Sequence, residues 1–313
     1  MKKEWVWLVA LSVCIVLIIP WSILRWQKEK VVFEDVQIRV LMPDGEVRKL
    51  SLEKYLIGVV AAEMPAEFEV EALKAQVVAA RTYAARRISS NKQQDCNYDV
   101  DTTVQTQAWL SDAQMRDKWG WLSYWRYHGK LEKAVSETRG EVLVANGEYI
   151  EAYYHSSSGR KSTERSEEVW SSPRSYLQNV SSGEENLQRY VKTITYTPQE
   201  LYKKLGITKS VIAFTAGDFQ ILDRTAAGRA KNVRVLGKTY PATELRKLLG
   251  LSSTDIEWVV QPDRIAITSY GNGHAVGMSQ WGANDLAKRN MKVEGILSHY
   301  YPGTKIMKLG YKQ

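Results

Sequence analysis

The sequence has 313 residues, of which 25% are charged and 44% hydrophobic, and its formal net charge is +8. This composition is typical of a globular protein and excludes a disordered chain, and the length allows a sizeable buried core. The positive charge suits an anionic polymer as partner. Nucleic acid is not favoured, because no basic block with interleaved aromatic residues, zinc-finger spacing or RNP-like motif is present.

The first thirty residues differ from the rest of the chain. Residues 5–24 are a run of twenty uncharged residues, which is long enough to cross a bilayer as a helix. The alternative is a cleaved signal peptide, which is less favoured because the run is long and no small-x-small cleavage site follows it. We therefore predict a single-pass membrane anchor in residues 1–30 and one folded domain in residues 31–313.

The orientation of this span is not fixed by charge, since two lysines precede it and three basic residues follow it closely. A short tail followed by a long domain usually leaves the tail in the cytoplasm. We therefore expect the domain to lie outside the cytoplasm, at the cell membrane. Cys14 falls in the predicted span and Cys96 is alone in the predicted domain, so no disulfide can form within the domain.

The predicted elements of the domain mix helices and strands without a βαβ rhythm. In chain order they are a hairpin in 31–50, a helix begun by Ser51 and ended at Met64, a helix over 69–88, a loop and short helix within 91–128, a hairpin in 141–154, a helix from Thr197 to Gly206, strands near 218–223 and 232–236, a helix over 243–249, a strand near 265–269, and helices near 279–289 and 293–300. Asn146-Gly147 is a strong hairpin signal, and Thr197 with Glu200 forms a capping box. The predicted fold class is α+β, with two lobes around a cleft.

Glu63 is the first candidate for chemistry. It is predicted to end a helix, in the segment Val-Val-Ala-Ala-Glu-Met-Pro (59–65). A glutamate in such a place is usually a solvated side chain, but small and apolar neighbours raise the pKa of a carboxyl. A carboxyl that keeps its proton can serve as a general acid.

The following helix presents Lys74 and Arg81, which are seven residues apart and therefore lie on nearly the same face. Gln76 and Tyr83 repeat that interval on a neighbouring face. These side chains either form a solvated face or line a polar wall in front of Glu63, and the spacing leaves both interpretations open.

A glycine-rich loop is the third candidate. Residues 271–283 read Gly-Asn-Gly-His-Ala-Val-Gly-Met-Ser-Gln-Trp-Gly-Ala, and three glycines in seven residues allow backbone to approach a ligand closely. We expect His274 and Gln280 to supply polar contacts and Trp281 a face for a sugar ring. Bulk at Gly277 should then block binding without unfolding the protein, whereas a glycine held at positive φ would make the loop a structural turn.

Four ordered blocks resemble a known family. They read Leu-Glu-Lys-Tyr-Leu-Ile-Gly-Val-Val-Ala-Ala-Glu-Met-Pro (52–65), Glu-Ala-Leu-Lys-Ala-Gln-Val-Val-Ala-Ala-Arg-Thr-Tyr-Ala (71–84), His-Ser-Ser-Ser-Gly (155–159) and Gly-His-Ala-Val-Gly-Met-Ser-Gln-Trp-Gly-Ala (273–283). Together they resemble stage II sporulation protein D, a family of membrane-anchored lytic transglycosylases of peptidoglycan. His155 would by itself be interpreted as a structural histidine at a strand end.

The resemblance assigns roles to individual residues. Glu63 matches the catalytic glutamate of the family. By the same match, residues in or near a glycan cleft would be Lys74, Gln76, Arg81, His155, Tyr176, His274, Gly277, Gln280 and Trp281.

The resemblance also implies a reaction and partners. Such enzymes cleave the β-1,4 bond between N-acetylmuramic acid and N-acetylglucosamine in peptide-stripped strands and leave a 1,6-anhydro end. One glutamate suffices, whereas most glycosidases need two carboxyls. The implied partners are the amidase stage II sporulation protein P and the membrane protein stage II sporulation protein M, in septal wall remodelling during engulfment.

One departure from the family concerns metal. Some members bind zinc through cysteines and a histidine at segments that correspond to 99–105 and 155–159. This chain has Ser158 at one cysteine position and no cysteine in 99–105, so only His155 remains of the three or four ligands that zinc needs. We expect no metal and no cofactor.

Two other functions stay open. The domain can be a non-catalytic glycan-binding protein that stimulates a partner amidase, or a structural member of a septal complex in which the membrane helix matters more than the cleft. The apolar setting of Glu63 favours the enzyme.

Overall fold

The computed structural model describes residues 36–94, 96–103, 105–182, 187–208 and 213–309. The predicted span at 5–24 and the predicted boundary at residue 30 lie outside these ranges. Within them, no helix is both long enough and apolar enough to cross a bilayer. From Gln37 onward the chain forms one compact unit.

Helices and strands alternate irregularly along this unit. The α-helices of the described residues are α1 (Leu52–Glu63), α2 (Val70–Gln94), α3 (Asp112–Glu137), α4 (Ser166–Trp170), α5 (Pro198–Leu205), α6 (Ala242–Leu249), α7 (Gln280–Lys288) and α8 (Val293–Tyr300). Short 3₁₀ turns lie at Leu187–Tyr190 and Ala216–Asp218.

The strands form small sheets. In chain order they are β1 (Gln37–Leu41), β2 (Val47–Ser51), β3 (Val100–Asp101), β4 (Glu141–Ala145), β5 (Glu148–Tyr149), β6 (Tyr154–His155), β7 (Val191–Tyr196), β8 (Phe219–Arg224), β9 (Ala230–Val235), β10 (Lys238–Pro241), β11 (Ile256–Gln261), β12 (Arg264–Tyr270), β13 (Met278–Ser279) and β14 (Lys305–Lys308). The sheet orders are β2-β1-β3, β14-β4-β5, β13-β6, β10-β9-β8 and β11-β12-β7. The α+β prediction is confirmed.

Local sequence signals explain several element boundaries. Asn146 and Gly147 have φ of 52° and 82°, the left-handed values that a tight hairpin turn requires. The capping box at α5 is complete, with Thr197 and Glu200 each bonding the backbone of the other. The predicted capping by Ser51 is wrong in detail, because its side chain makes no capping hydrogen bond.

Helix α3 is longer than the short helix predicted within 91–128. Ser111 and Gln114 form a capping box that begins it, and it continues for 26 residues to Glu137. Gly120 interrupts the helical backbone with φ 72° and ψ 162°. The kink rotates the two halves relative to each other, so they do not share one apolar stripe that would identify a single long helix in the sequence.

Two hydrophobic clusters organise the unit. The first joins α1, α2 and α3 to β1, β4, α7 and α8. The second lies between residues 196 and 267 and joins α5 and α6 to the sheets of β7–β12. These clusters are compatible with two lobes, and the cleft between such lobes stays a prediction.

One buried arginine ties four elements of the first cluster together. Arg81 of α2 has no exposed surface, and its Nε and Nη2 donate to the two carboxylate oxygens of Glu53 at 3.1 and 2.6 Å. It also donates to the carbonyl oxygens of Val135 and Glu141 at 3.3 and 3.1 Å. The start of α1, the end of α3 and the start of β4 are thereby fixed to α2.

We expect Glu53→Gln to lower the free energy of unfolding by about 3 kcal/mol, because a buried guanidinium would lose its counter-charge. Asp44→Asn is the matched control, since it breaks an ion pair with Arg48 in which both side chains are about half exposed, and should cost less than about 1 kcal/mol. Urea denaturation measures both values. Equal small losses would contradict a structural role for the Arg81–Glu53 pair.

Candidate active site

Glu63 is the last residue of α1. The helix ends there because Pro65 disfavours helical backbone at Met64, which is extended at φ −124° and ψ 147°. The Met64 N–H donates to the carbonyl oxygen of Val60 at 3.0 Å. The Glu63 carboxyl therefore lies at the negative end of a helix dipole, where a carboxylate is disfavoured.

Three neutral donors face this carboxyl. The backbone N–H of Ala108 donates to Oε1 at 3.2 Å. The side-chain amide of Gln280 and the hydroxyl of Tyr154 are close enough to lower the pKa of the carboxyl. Each bond favours the carboxylate, but burial acts more strongly, and the pKa of Glu63 is raised above its usual value. Glu63 can thus hold a proton and release it to a nearby acceptor.

Tyr154 is held by a second layer of hydrogen bonds. Gln107, which is 1% exposed, donates from Nε2 to the Tyr154 hydroxyl and to the carbonyl oxygen of Ala80, both at 3.3 Å. Its Oε1 accepts from the Tyr55 hydroxyl, also at 3.3 Å. Burial, followed by the charge of Glu63, raises the pKa of Tyr154 well above its usual value, so the phenol remains a neutral donor.

Parallel pairing of β6 with β13 brings Tyr154 and Gln280 to the same place. Tyr154 pairs with Met278 and His155 with Ser279, and Gln280 then begins α7. The amide of Gln280 is buried and donates to Oε1 of Gln76 at 3.5 Å. Gln76 and Gln280, both predicted as site residues, are therefore brought together beside Glu63.

Trp281 lies next to this cluster, half-buried. Its ring meets the Phe68 ring edge-on at a centroid distance of 4.7 Å, and the Arg189 guanidinium lies over it at 4.9 Å. Its backbone N–H donates to the Ser156 carbonyl oxygen at 3.1 Å. The predicted role as a sugar platform stays a prediction.

Arg81 and Lys74 do not join the cluster around Glu63. Arg81 is fully buried against Glu53, which stands ten residues before Glu63 on α1, about 15 Å along the helix axis. The predicted contact of Arg81 with a glycan is therefore corrected, because the side chain has no surface to offer a ligand.

Lys74 is bound by two carboxylates. Its Nζ lies 2.9 Å from Glu71 and 2.6 Å from Glu137. Glu71 in turn accepts a hydrogen bond from the backbone N–H of Val293 at 2.9 Å. The ammonium thus ties α2 to α3 and α8. The assignment of Lys74 to a glycan cleft stays a prediction.

His155 and His274 both make hydrogen bonds to backbone groups. His155 Nδ1 donates to the Val276 carbonyl oxygen at 3.2 Å and Nε2 accepts from the Ser158 hydroxyl at 2.7 Å, and burial lowers its pKa well below the usual range. His274 Nδ1 accepts from the Val276 N–H at 3.1 Å. Burial, followed by Arg246, lowers the pKa of His274 to about 4, so both imidazoles are neutral at pH 7.

Gly277 is a structural glycine. Its φ is +71°, and a Cβ there would stand 2.0 Å from the Tyr153 carbonyl oxygen. That oxygen already accepts from the Met278 N–H at 3.0 Å and the Tyr301 hydroxyl at 2.7 Å. The expectation that bulk at Gly277 blocks a ligand without unfolding the protein is therefore corrected, since the close approach is to the protein's own backbone.

Tyr176, assigned to the site by family resemblance, is also a structural contact. It is 8% exposed, and its hydroxyl accepts a hydrogen bond from the backbone N–H of Glu151 at 3.1 Å. Its assignment to the site stays a prediction.

No group of three or more potential metal ligands lies within reach of a common ion among the described residues. Ser158, at the position of a cysteine in zinc-binding relatives, is hydrogen-bonded to His155 and to Ser182 at 2.7 and 2.8 Å. The expectation of a metal-free site stays a prediction.

Tyr154, Gln107 and Tyr55 were not singled out by the sequence analysis. Tyr154 stands immediately before His155 at the end of a predicted strand. The alternation of side chains between the two faces of that strand is a signal that could have identified it. Gln107 and Tyr55 come from separate parts of the chain, and only the folded structure joins them.

Comparison with known proteins places the chain in context. Residues 44–144 match the sequence model of a family described as "Stage II sporulation protein". The chain is 39% identical over 263 residues to Stage II sporulation protein D of Bacillus subtilis (strain 168), covering 83% of this chain and 75% of that protein. It is 38% identical, with the same coverage, to Stage II sporulation protein D of Bacillus amyloliquefaciens.

A further relative carries a different name. The Amidase enhancer of Bacillus subtilis (strain 168) is 30% identical over 305 residues, which cover 80% of this chain and 40% of that protein.

We expect Gly277→Ala to destabilise the protein by about 3 kcal/mol or more, because it adds a backbone clash to the strain of a side chain at positive φ. Gly250→Ala is the matched control, since Gly250 has φ +62° and nothing within 4 Å of a Cβ. The control should lose about 1 kcal/mol. Thermal and urea unfolding measure both. Equal losses of stability in the two variants would show that the backbone at Tyr153 moves away from the added methyl group, and would contradict the prediction.

Proposed function

Because the chain belongs to the stage II sporulation protein D family, we propose that it is a peptidoglycan lytic transglycosylase with Glu63 as its catalytic residue. The substrate is peptide-stripped glycan, cleaved between N-acetylmuramic acid and N-acetylglucosamine. The observation that carries the proposal is the Glu63 carboxyl, with a pKa raised by burial and three neutral hydrogen-bond donors around it. A group of this kind can act first as an acid and then as a base.

The first step breaks the glycosidic bond. Protonated Glu63 gives its proton to the bridging oxygen, the bond between that oxygen and C1 of the muramic acid breaks, and the N-acetylglucosamine leaves with a hydroxyl. The donors Ala108, Gln280 and Tyr154 stabilise the carboxylate that this step creates.

The second step closes the anhydro ring. The Glu63 carboxylate takes the proton of the 6-hydroxyl of the same muramic acid, whose oxygen attacks C1. The product has a 1,6-anhydro end, Glu63 regains its proton, and no water is consumed. A second catalytic carboxyl is therefore not required, in contrast to hydrolytic glycosidases.

Membership of the family supports a proposal for location and partners. We place the protein at the sporulation septum, anchored through residues 5–24 with its domain outside the cytoplasm. Partners would be stage II sporulation proteins P, an amidase, and M, and the work would be septal wall remodelling during engulfment. An amidase that strips stem peptides would supply the substrate.

The second candidate is a non-catalytic glycan-binding protein that stimulates an amidase. The name of the relative called Amidase enhancer favours it. Products decide between the two, since only a transglycosylase makes 1,6-anhydro ends from purified stripped glycan with no amidase present. Mass spectrometry of those products separates the candidates.

We expect Glu63→Gln to abolish the formation of anhydro ends, by at least about 10³-fold, because an amide cannot give and retrieve the proton. Glu67→Gln is the control, an exposed carboxyl near Glu63 in the chain, and should retain activity. Circular dichroism and thermal midpoints establish that both variants are folded. Near-normal anhydro product from Glu63→Gln would remove Glu63 as the acid.

We expect Tyr154→Phe to lower kcat about tenfold and to move the alkaline limb of the pH–rate profile to higher pH. The hydroxyl favours the carboxylate form of Glu63, so its loss raises the pKa of Glu63 further. Because cleavage needs the protonated acid, activity then persists to higher pH. Tyr240→Phe, which removes a buried hydroxyl within the second hydrophobic cluster, should leave the limb in place. A shift toward lower pH would contradict the assignment.

A further inference from the structure

A cleft of about 320 Å³ lies against the C-terminal half of α2, apart from the cluster at Glu63. We name it the arginine cleft. It is lined by Tyr83, Arg86, Arg87, Ser90, Asn91, Glu151 and Tyr153. We infer that it binds a carboxylate of the glycan, namely the lactyl carboxylate that muramic acid exposes once its stem peptide has been removed. This inference rests on the proposed function.

Arg87 has donors left for a ligand. Its Nε donates to the carbonyl oxygen of Asp99 at 3.1 Å, which fixes the side chain. The carboxylate of Asp99 is taken by Arg39 at 2.8 Å. Within the described ranges Arg87 makes no ion pair, and its two Nη groups have no hydrogen-bond partner. A fixed guanidinium with two free nitrogens is suited to bidentate binding of a carboxylate.

The rest of the cleft adds positive charge and neutral donors. Arg86 donates to the Tyr149 carbonyl oxygen at 2.9 Å and pairs with Glu151 at 3.0 Å. Glu151 is also paired with Arg174 at 2.6 Å. Arg86 and Arg174 therefore share the Glu151 carboxylate. With the charge of Arg87 added, the local balance stays positive even with Asp101 near Tyr83.

The two tyrosines of the cleft remain neutral at pH 7. Burial is the main cause that raises the pKa of Tyr83 and of Tyr153. Neutral phenols can donate hydrogen bonds to an anion without opposing its charge.

Helix α2 relates the cleft to the catalytic centre. Gln76, Tyr83 and Arg87 stand at helical intervals of seven and four, and so lie on one face. The rise from Gln76, which contacts Gln280, to Arg87 is about 16 Å, a length that a glycan strand bridges in a few sugar units.

The chemistry of the substrate changes at the group that the cleft would bind. While a stem peptide is attached, the lactyl carboxyl is an amide and carries no charge. Removal of the peptide by hydrolysis leaves a carboxylate. A cleft that recognises this carboxylate would select stripped strands and make the enzyme follow the amidase in the reaction order.

The test compares two forms of one substrate. Stripped glycan with free carboxylates is assayed against the same glycan after its carboxylates are converted to methylamides. For the unaltered protein we expect kcat/KM on the free acid to exceed that on the methylamide by about tenfold, the lower end for a charge-assisted hydrogen bond. Equal rates on the two substrates would overturn the inference without any variant.

Arg87→Gln should lose this preference, with a fall of about tenfold on the free acid and little change on the methylamide. Arg87→Lys keeps the charge and should keep part of the preference. Arg48→Gln, at an exposed arginine of β2, is the control and should behave as the unaltered protein. A folded Arg87→Gln protein that still prefers the free acid would contradict the inference.

Binding separates this inference from the proposed reaction. Affinity electrophoresis of Glu63→Gln in gels containing either glycan reports the preference with no cleavage. If the unaltered protein makes no anhydro ends but Glu63→Gln still binds the free acid more tightly, the proposed reaction fails and the cleft assignment stands. If anhydro ends form but neither assay shows a preference, the cleft assignment fails alone.

Discussion

The pairing of β6 with β13 is the contact on which the arrangement at Glu63 depends. Each strand has two residues, and so short a ladder cannot hold itself together. It is secured by a side chain as well, since His155 of β6 bonds the carbonyl oxygen of Val276, two residues before β13. Without this pairing, the hydroxyl of Tyr154 and the amide of Gln280 would not meet the same carboxyl.

The environment of Glu63 is polar but uncharged in its direct contacts. A cation within about 4–6 Å would lower the pKa of a carboxyl by roughly 1–3 units and so deprive it of its proton at neutral pH. Lys74 and Arg81, for which a polar wall in front of Glu63 was one of two interpretations, are neutralised by carboxylates of their own. The pairing of these two cations with other carboxylates therefore agrees with the proposed chemistry, because an acid at Glu63 requires neutral donors nearby.

Signals that act over a few residues predicted the structure well, and long-range pairing did not follow from them. The turn at Asn146-Gly147 and the cap at Glu200 are set by local backbone preferences, and Glu63 was located because Pro65 ends its helix. A buried arginine such as Arg81, in contrast, has the same helical spacing as an exposed one, and its partner is 28 positions away. Gly277 was likewise ambiguous, since the sequence shows that backbone comes close there but not to what.

Distance resolves a conflict between binding an anionic substrate and keeping an acid protonated. Arg87 has to be charged to hold a carboxylate, yet the same charge would favour ionisation of Glu63. Gln76, which lies beside Glu63 through Gln280, and Arg87 are about 16 Å apart along the axis of α2. Over such a distance two unit charges interact by about 1 kcal/mol or less, which is under about one pKa unit, and salt screens the interaction further. A helix with neutral Gln76 near one end and Arg87 near the other can therefore serve recognition and catalysis together.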